Sequence, residues 1–207
     1  MSATETIPVG TDVRGAHSLH RLVRPIAVLC CKSTSEYKTM AGVECYDQDR
    51  DVHSFQGGMP VVAHPPCRAW STYCRHQAKP EPGEMELGPL CVDWLRQCGG
   101  VLEHPAHSHL WEACNLPTPG NRAGRLWTMG VWQSWWGYPL TIKRTWLCFC
   151  GIDKKEIHLP FSLRGQGGDK RAWRAGSKSW RSRTTRAFAE WLVDVARRSW
   201  PNDQAQR

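Results

Sequence analysis

No stretch of this 207-residue chain runs to about 18 consecutive apolar residues, so no membrane-spanning helix is expected. Residues Met1 to Gly10 lack a charged segment followed by an apolar one, which argues against a secretory signal. Neither a Gly-x-Gly-x-x-Gly fingerprint nor a Walker loop occurs, and with them go the two common glycine-rich phosphate cradles. Paired Cys-x2–4-Cys knuckles are missing too, which is poor spacing for structural zinc. No internal repeat marks a solenoid or propeller.

What is present points to a single domain large enough for a real core. Ten cysteines are scattered, with Cys30 and Cys31 adjacent, in a chain too long for a small disulfide-stapled scaffold. A reduced, intracellular and cytoplasmic protein is the expectation. Most of the twelve tryptophans are expected in the core. The net charge of +8 is uneven: from Arg164 to Arg186 there are eight Lys or Arg residues and one acid, Asp169. Trp173 and Trp180 sit inside that glycine-rich segment. Cations interleaved with aromatics grip phosphates and stack on bases, so DNA is the expected partner, a solvated loop being the alternative.

The apolar pattern predicts an α/β fold. Residues 1–24 show no periodicity and are expected to form a mobile tail, with a domain over 25–200 and a short tail over 201–207. Strands are predicted at Pro25–Cys31, Val43–Tyr46, 60–63, 101–103 and Thr145–Cys150, with the first continuously apolar as parallel strands are. A short helix is expected over Ser33–Met40, capped by Ser33 or Thr34, and longer helices over about Met85–Gln97 and Thr185–Arg198. Gly99-Gly100 ends the first long helix. Asn115–Tyr138, rich in Pro, Gly and Trp, reads as irregular. Alternating strands and helices imply crossover connections.

Two strand ends carry chemistry. Val61-Val62-Ala63 leads into His64-Pro65-Pro66-Cys67, where two prolines stiffen a turn that displays one thiol. An ionised thiol there attacks an electron-poor carbon; the plainer alternative is a buried structural cysteine. Val101-Leu102 leads into Glu103-His104-Pro105, where a carboxylate at a strand end would hold a ring nitrogen or amino group and share its proton. Taken alone, Glu103 reads equally as a capping carboxylate. Ligands in open α/β sheets bind at such carboxyl edges. His104, His107 and His109 lie close together, but no metal is expected.

These phrases resemble the catalytic core of DNA cytosine C5-methyltransferases, a family with Pro-Cys-Gln-x-x-Ser, then Glu-Asn-Val or Glu-Asn-Pro, then arginines before a strand. Here stand Pro66-Cys67-Arg68-Ala69-Trp70-Ser71, Glu103-His104-Pro105 and Lys143-Arg144-Thr145, in the same order. A set of small phage and prophage cytosine-methyltransferase-like proteins is more similar still, sharing Ala-His-Pro-Pro-Cys, Glu-x-Pro, Gln-x-Trp-x-Gly (Gln133 to Gly137) and Lys-Arg-Thr. The likeness spans roughly residues 25–150.

The resemblance implies a single Rossmann-like, S-adenosylmethionine-methyltransferase-type sheet flanked by helices, with a reduced target-recognition region. It implies Cys67 as the nucleophile on C6 of a cytosine, Glu103 on N3 and the amino group, and Arg144 positioning the base or its phosphate. S-Adenosylmethionine would lie near Cys31, Ser33, Asp47 and Pro65. Arg68, Ser71, Lys170, Arg171, Arg174, Lys178 and Arg181 would meet nucleic acid, and the Trp-rich 127–136 segment could act as a wedge. The family's Phe-x-Gly-x-Gly loop is replaced by Cys30-Cys31-Lys32-Ser33, and its asparagine by His104. Two other readings stay open: a DNA-binding or phage accessory module of the same shape without cofactor, and a different C5 pyrimidine modification.

Overall fold

The structure is a computed structural model that describes residues 24–72, 79–137, 143–160, 177 and 183–199. Seven strands form one sheet: β1 (Ile26–Leu29), β2 (Val43–Tyr46), β3 (Val61–Ala63), β4 (Gly100–Pro105), β5 (Arg122–Ala123), β6 (Leu126–Trp132) and β7 (Arg144–Cys150). Their order is β2-β1-β3-β4-β7-β6-β5. The first four are parallel, and β7, β6 and β5 continue the sheet through antiparallel pairs. This is the expected α/β architecture, with a mixed rather than wholly parallel sheet.

Alternation along the strands explains the layers. Ala27, Leu29, Val61, Ala63 and Leu102 face α1 (Leu87–Cys98), which buries Cys91, Val92, Leu95 and Cys98 against them. Ile26, Val28, Val62, Val101, Leu147 and Phe149 face the opposite way, against Phe188, Leu192 and Val195 of the last helix. A one-turn helix, α2, spans Leu110–Ala113, and that last helix, α3, spans Arg186–Arg198. Thr185 caps α3 by accepting from the Phe188 N–H. Gly99, at φ +75°, ends α1 as the sequence predicts. Gly100 is required for a different reason: a Cβ there would stand 2.0 Å from the Val61 carbonyl oxygen.

Two local expectations differ. The segment after β1 is a 3-10 turn at Glu36–Thr39, preceded by Ser35 with no side-chain cap, instead of a helix capped by Ser33 or Thr34. The stretch expected to be irregular, 115–138, contains β5 and β6. Gly130 and the two tryptophans, Trp127 and Trp132, break the period-two pattern of β6, yet its register with β7 runs unbroken from Leu126↔Cys150 to Trp132↔Arg144. Tertiary pairing overrides the weak local signal. No helix among the described residues is long and apolar enough to cross a membrane.

From β1 the chain steps to β2 on one side, then crosses back past β1 to β3 on the other. The strand order therefore reverses between β1 and β3, and a crevice opens beyond their carboxyl ends. Both phrases singled out in the sequence leave the sheet at this edge, from β3 and from its neighbour β4.

Candidate active site at the carboxyl edge of the sheet

His64 continues the β3 ladder by one residue, its N–H donating to the Leu29 carbonyl. Pro65 is buried behind it, and the chain then turns outward so that Cys67 is exposed. The turn is anchored twice. Trp70 N–H donates to the Cys67 carbonyl, and the Trp70 carbonyl accepts from the His109 N–H. His104 lies on the opposite face of β4 from Glu103, buried to 1% exposure beside Trp111. Burial pushes its pKa down to about 4, against the Glu103 charge and the backbone of Pro66 and Pro65. A neutral ring is therefore packed close to the backbone of Pro65 and Pro66. Among the described residues no group of three His, Cys, Asp or Glu side chains is assembled to hold a metal.

Glu103 is the best-connected polar group of the edge. Its Oε1 accepts from the Thr145 hydroxyl at 2.6 Å and from the Gln133 amide at 3.0 Å. Its Oε2 lies 2.9 Å from His64 Nδ1. The Gln133 amide nitrogen also reaches the Thr145 hydroxyl at 3.1 Å, which fixes the direction of that amide. Burial drives the Glu103 pKa up, but the His64 bond and charge, the Lys143 charge and the Thr145 bond outweigh it and hold the carboxyl at about 2. Glu103 is thus a buried anion near neutral pH, not an acid carrying its own proton.

Tyr37, on the 3-10 turn after β1, sends its hydroxyl to 2.9 Å from His64 Nε2. The Tyr37–His64 contact bridges the crevice between β1 and β3, and the chain of bonds runs Tyr37, His64, Glu103, Thr145. Cys67 is exposed as a residue, yet neighbouring protein partly desolvates its thiol. Its pKa is raised first by that desolvation and then by the Glu103 charge, while Lys143 pulls it down. Burial lowers the Lys143 pKa, and the charges of Glu103 and Cys67 oppose that shift. Cys67, Glu103 and Lys143 therefore share one electrostatic neighbourhood.

The structure separates the other expected residues. Arg144 does not join Glu103: strand alternation turns it to the face opposite Thr145, where it is exposed and stands 5.8 Å over the Trp132 ring. Lys143 takes the place expected of it. Arg68 is held against the segment before α1, donating to the Lys79 carbonyl at 2.9 Å and pairing with Glu81 at 3.1 Å. Ser71 is half-buried at the end of the Cys67 turn, and Ser33 is exposed beyond β1. Cys31 is buried and its free thiol is hydrogen-bonded to that of Cys45, an interaction that raises the Cys31 pKa together with burial. Lys170, Arg171, Arg174, Lys178 and Arg181 lie outside the described residues, as do most of the basic 164–186 segment and both terminal tails.

Asp47 tests the expected cofactor. Its Oδ1 accepts the N–H groups of Asp49 and Arg50, each at 3.0 Å, and its Oδ2 pairs with Lys38. The Lys38 bond, ahead of the backbone bonds, holds its pKa at about 2. A ribose hydroxyl needs an exposed acceptor there, and this side chain is 1% exposed with three of its acceptor directions already taken. Asp47 does not, in this arrangement, fit the ribose of S-adenosylmethionine. A cavity of about 280 Å³ lined by Trp127, Met129, Lys154 and Leu159 lies instead toward the amino end of β4, away from Cys67.

His64, Tyr37 and Lys143 carry contacts for which the sequence reading had no role. The one available signal was position: His64 is the first residue past β3, and Lys143 the last before β7. No family model matches the chain, and no curated protein or solved structure gives a match.

Proposed function

We propose that the chain is a cytosine C5-methyltransferase-like enzyme in which Cys67 adds to C6 of a pyrimidine ring. The observation that carries this reading is the arrangement of two strand ends. An exposed thiol after β3 and a buried, hydrogen-bonded carboxylate on β4 stand side by side at the switch-point edge. A pure binding surface needs neither a nucleophile nor a charge-tuned carboxylate within its reach.

In this reading Glu103 faces the N3 and amino edge of the base, Lys143 stabilises the Cys67 thiolate, and His104 holds the turn in place. S-Adenosylmethionine is the methyl donor that the family resemblance implies. DNA is the proposed substrate, on the strength of the basic 164–186 segment, and a duplex target would have to be flipped out at a cost of a few kcal/mol.

Asp47 favours a second reading. With its carboxylate closed, the same scaffold would act as a DNA-binding module, or carry out another C5 modification with a different donor. The test is a 5-fluorocytosine oligonucleotide incubated with S-adenosylmethionine. A covalent adduct that disappears in Cys67→Ala supports the enzyme. DNA binding without an adduct, unchanged in Cys67→Ala, supports the module. Calorimetry with S-adenosylmethionine alone isolates the donor: absence of binding sinks methyl transfer and leaves the cysteine chemistry standing.

A further inference from the structure

We infer that His64 is a positioning residue that supplies the proton of this site, acting through Glu103 and oriented by Tyr37. The inference rests on the proposed cysteine addition and identifies where its proton comes from.

The argument begins with lone pairs. A carboxylate offers about four acceptor directions. Thr145 and Gln133 take two on Oε1, and His64 takes one on Oε2. One direction on Oε2 remains, and an anion there can only accept. Addition to C6 calls for the opposite at N3, because the ring electrons displaced by sulfur accumulate there and need a proton.

His64 meets that need by position. Its Nδ1 is on the same Oε2 that keeps the open direction, so a proton passing from Nδ1 to Oε2 makes Glu103 a donor without moving a heavy atom. Tyr37 contacts Nε2 at 2.9 Å and, at 1% exposure, pins the ring from the far side of the crevice.

The step balances. The Cys67 thiol releases its proton to solvent and its sulfur lone pair forms the S–C6 bond. The C5=C6 π pair moves through C4 toward N3. N3 takes the proton from Glu103, which has taken it from the His64 imidazolium, leaving a neutral imidazole with its proton on Nε2. On elimination the S–C6 bond breaks, the double bond returns, and the proton travels back from N3 to His64.

Among the described residues, the groups facing His64 come from three elements. Tyr37 comes from the turn after β1, with Cys31 of that loop and Cys45 of β2 in charge range of Tyr37. Glu103 and His104 come from β4. Lys143 and Cys67 act on it through Glu103.

Two measurements on the full chain decide the matter. The first follows the His64 ring nitrogens by NMR against pH. Glu103→Gln is expected to shift the His64 Nδ1 resonance, because that ring nitrogen loses its anionic hydrogen-bond partner. Tyr37→Phe is expected to shift the Nε2 resonance. Ring-nitrogen resonances indifferent to both variants overturn the inference.

The second follows adduct formation with a 5-azacytosine oligonucleotide, whose nitrogen in place of C5 removes the need for a methyl donor. Wild type is expected to give a bell-shaped pH profile, and His64→Gln only the ascending thiolate limb, about tenfold slower near the wild-type optimum. Tyr37→Phe keeps the bell with a displaced descending limb, which guards against a His64 variant that fails to fold. A bell retained in folded His64→Gln overturns the inference alone. No adduct in wild type at any pH overturns the cysteine chemistry and the proton role with it, while the NMR titration still reports on the coupling.

Discussion

Thr145 on β7 donates its hydroxyl to Glu103 on β4 at 2.6 Å, across the seam where the parallel half of the sheet meets the antiparallel half. Glu103 pairs in register with Leu147, so Thr145 is its diagonal neighbour on the same face. A slip of one residue would turn Thr145 away and present Arg144 in its place. The β4–β7 register therefore sets the ionisation of the site as well as the core. Thr145→Val keeps the shape and removes the donor. It is expected to cost about 1.5–3 kcal/mol of stability, the range for hydrogen bonds to charged groups, and to raise the Glu103 pKa. Thr145→Ser is expected to restore both. Denaturant melts of the three proteins and a carboxyl-resolved NMR titration check the outcome.

Acid stability divides into two pH windows. His104 has its pKa lowered from 6.5 to about 4 by burial, so below pH 6.5 the unfolded chain binds a proton that the folded one refuses. Stability is lost from about pH 6.5 down to 4. Glu103, first raised by burial but held at about 2 by its partners, contributes stability that is complete above its unfolded value near 4.5 and is lost as pH falls through 2. Each contribution is on the order of 3 kcal/mol at most. His104→Asn is expected to flatten the upper window and Glu103→Gln the lower one, in melts recorded at successive pH values. Unchanged slopes in both variants would refute the assignment.

Gly100 is held by close approach. At φ +125°, with a Cβ position 2.0 Å from the Val61 carbonyl oxygen, alanine would force β3 and β4 apart where they pair. Gly100→Ala is expected to cost about 3 kcal/mol or more, the upper end of overpacking penalties. Gly58→Ala, also at positive φ but with open space around its Cβ position, is expected to cost about 1 kcal/mol through backbone strain alone. Equal melting temperatures for the two variants would show that the close approach is absent.

The parallel half of the sheet was legible because its strands are short apolar runs with turn signals on both sides. Ile26–Leu29 and Val61–Ala63 are buried on both faces and read as continuous hydrophobic segments. β6 was not legible, since Trp127, Thr128, Gly130 and Trp132 carry no period of two and the strand exists through its partner β7. At the site, Cys67 and Glu103 announced themselves by standing at strand ends beside prolines. His64 stood in the same phrase, but its role needs Tyr37, 27 residues upstream, and Glu103, 39 residues downstream. Lys143 and Arg144 could not be separated by motif, because only the start of β7 decides which neighbour faces the carboxylate.

That last distinction yields a reactivity prediction. Lys143 lowers the Cys67 pKa by its charge, whereas Arg144 lies over Trp132 on the far face. Only the thiolate reacts with iodoacetamide, so the rate near neutral pH follows the fraction ionised. Lys143→Met removes the favourable charge and leaves only the backbone hydrogen bond at Cys67 to offset the repulsion by Glu103. It is expected to raise the Cys67 pKa further and to slow Cys67 alkylation severalfold. Arg144→Ala is expected to leave that rate within twofold. Cys30 and Cys45 are also partly exposed, so modification has to be read at the peptide carrying Cys67 by mass spectrometry. Salt separates charge from packing: about 1 M salt, with a Debye length near 3 Å, should shrink the difference between wild type and Lys143→Met. If Arg144→Ala slows alkylation more than Lys143→Met does, Lys143 is not the cation of this site.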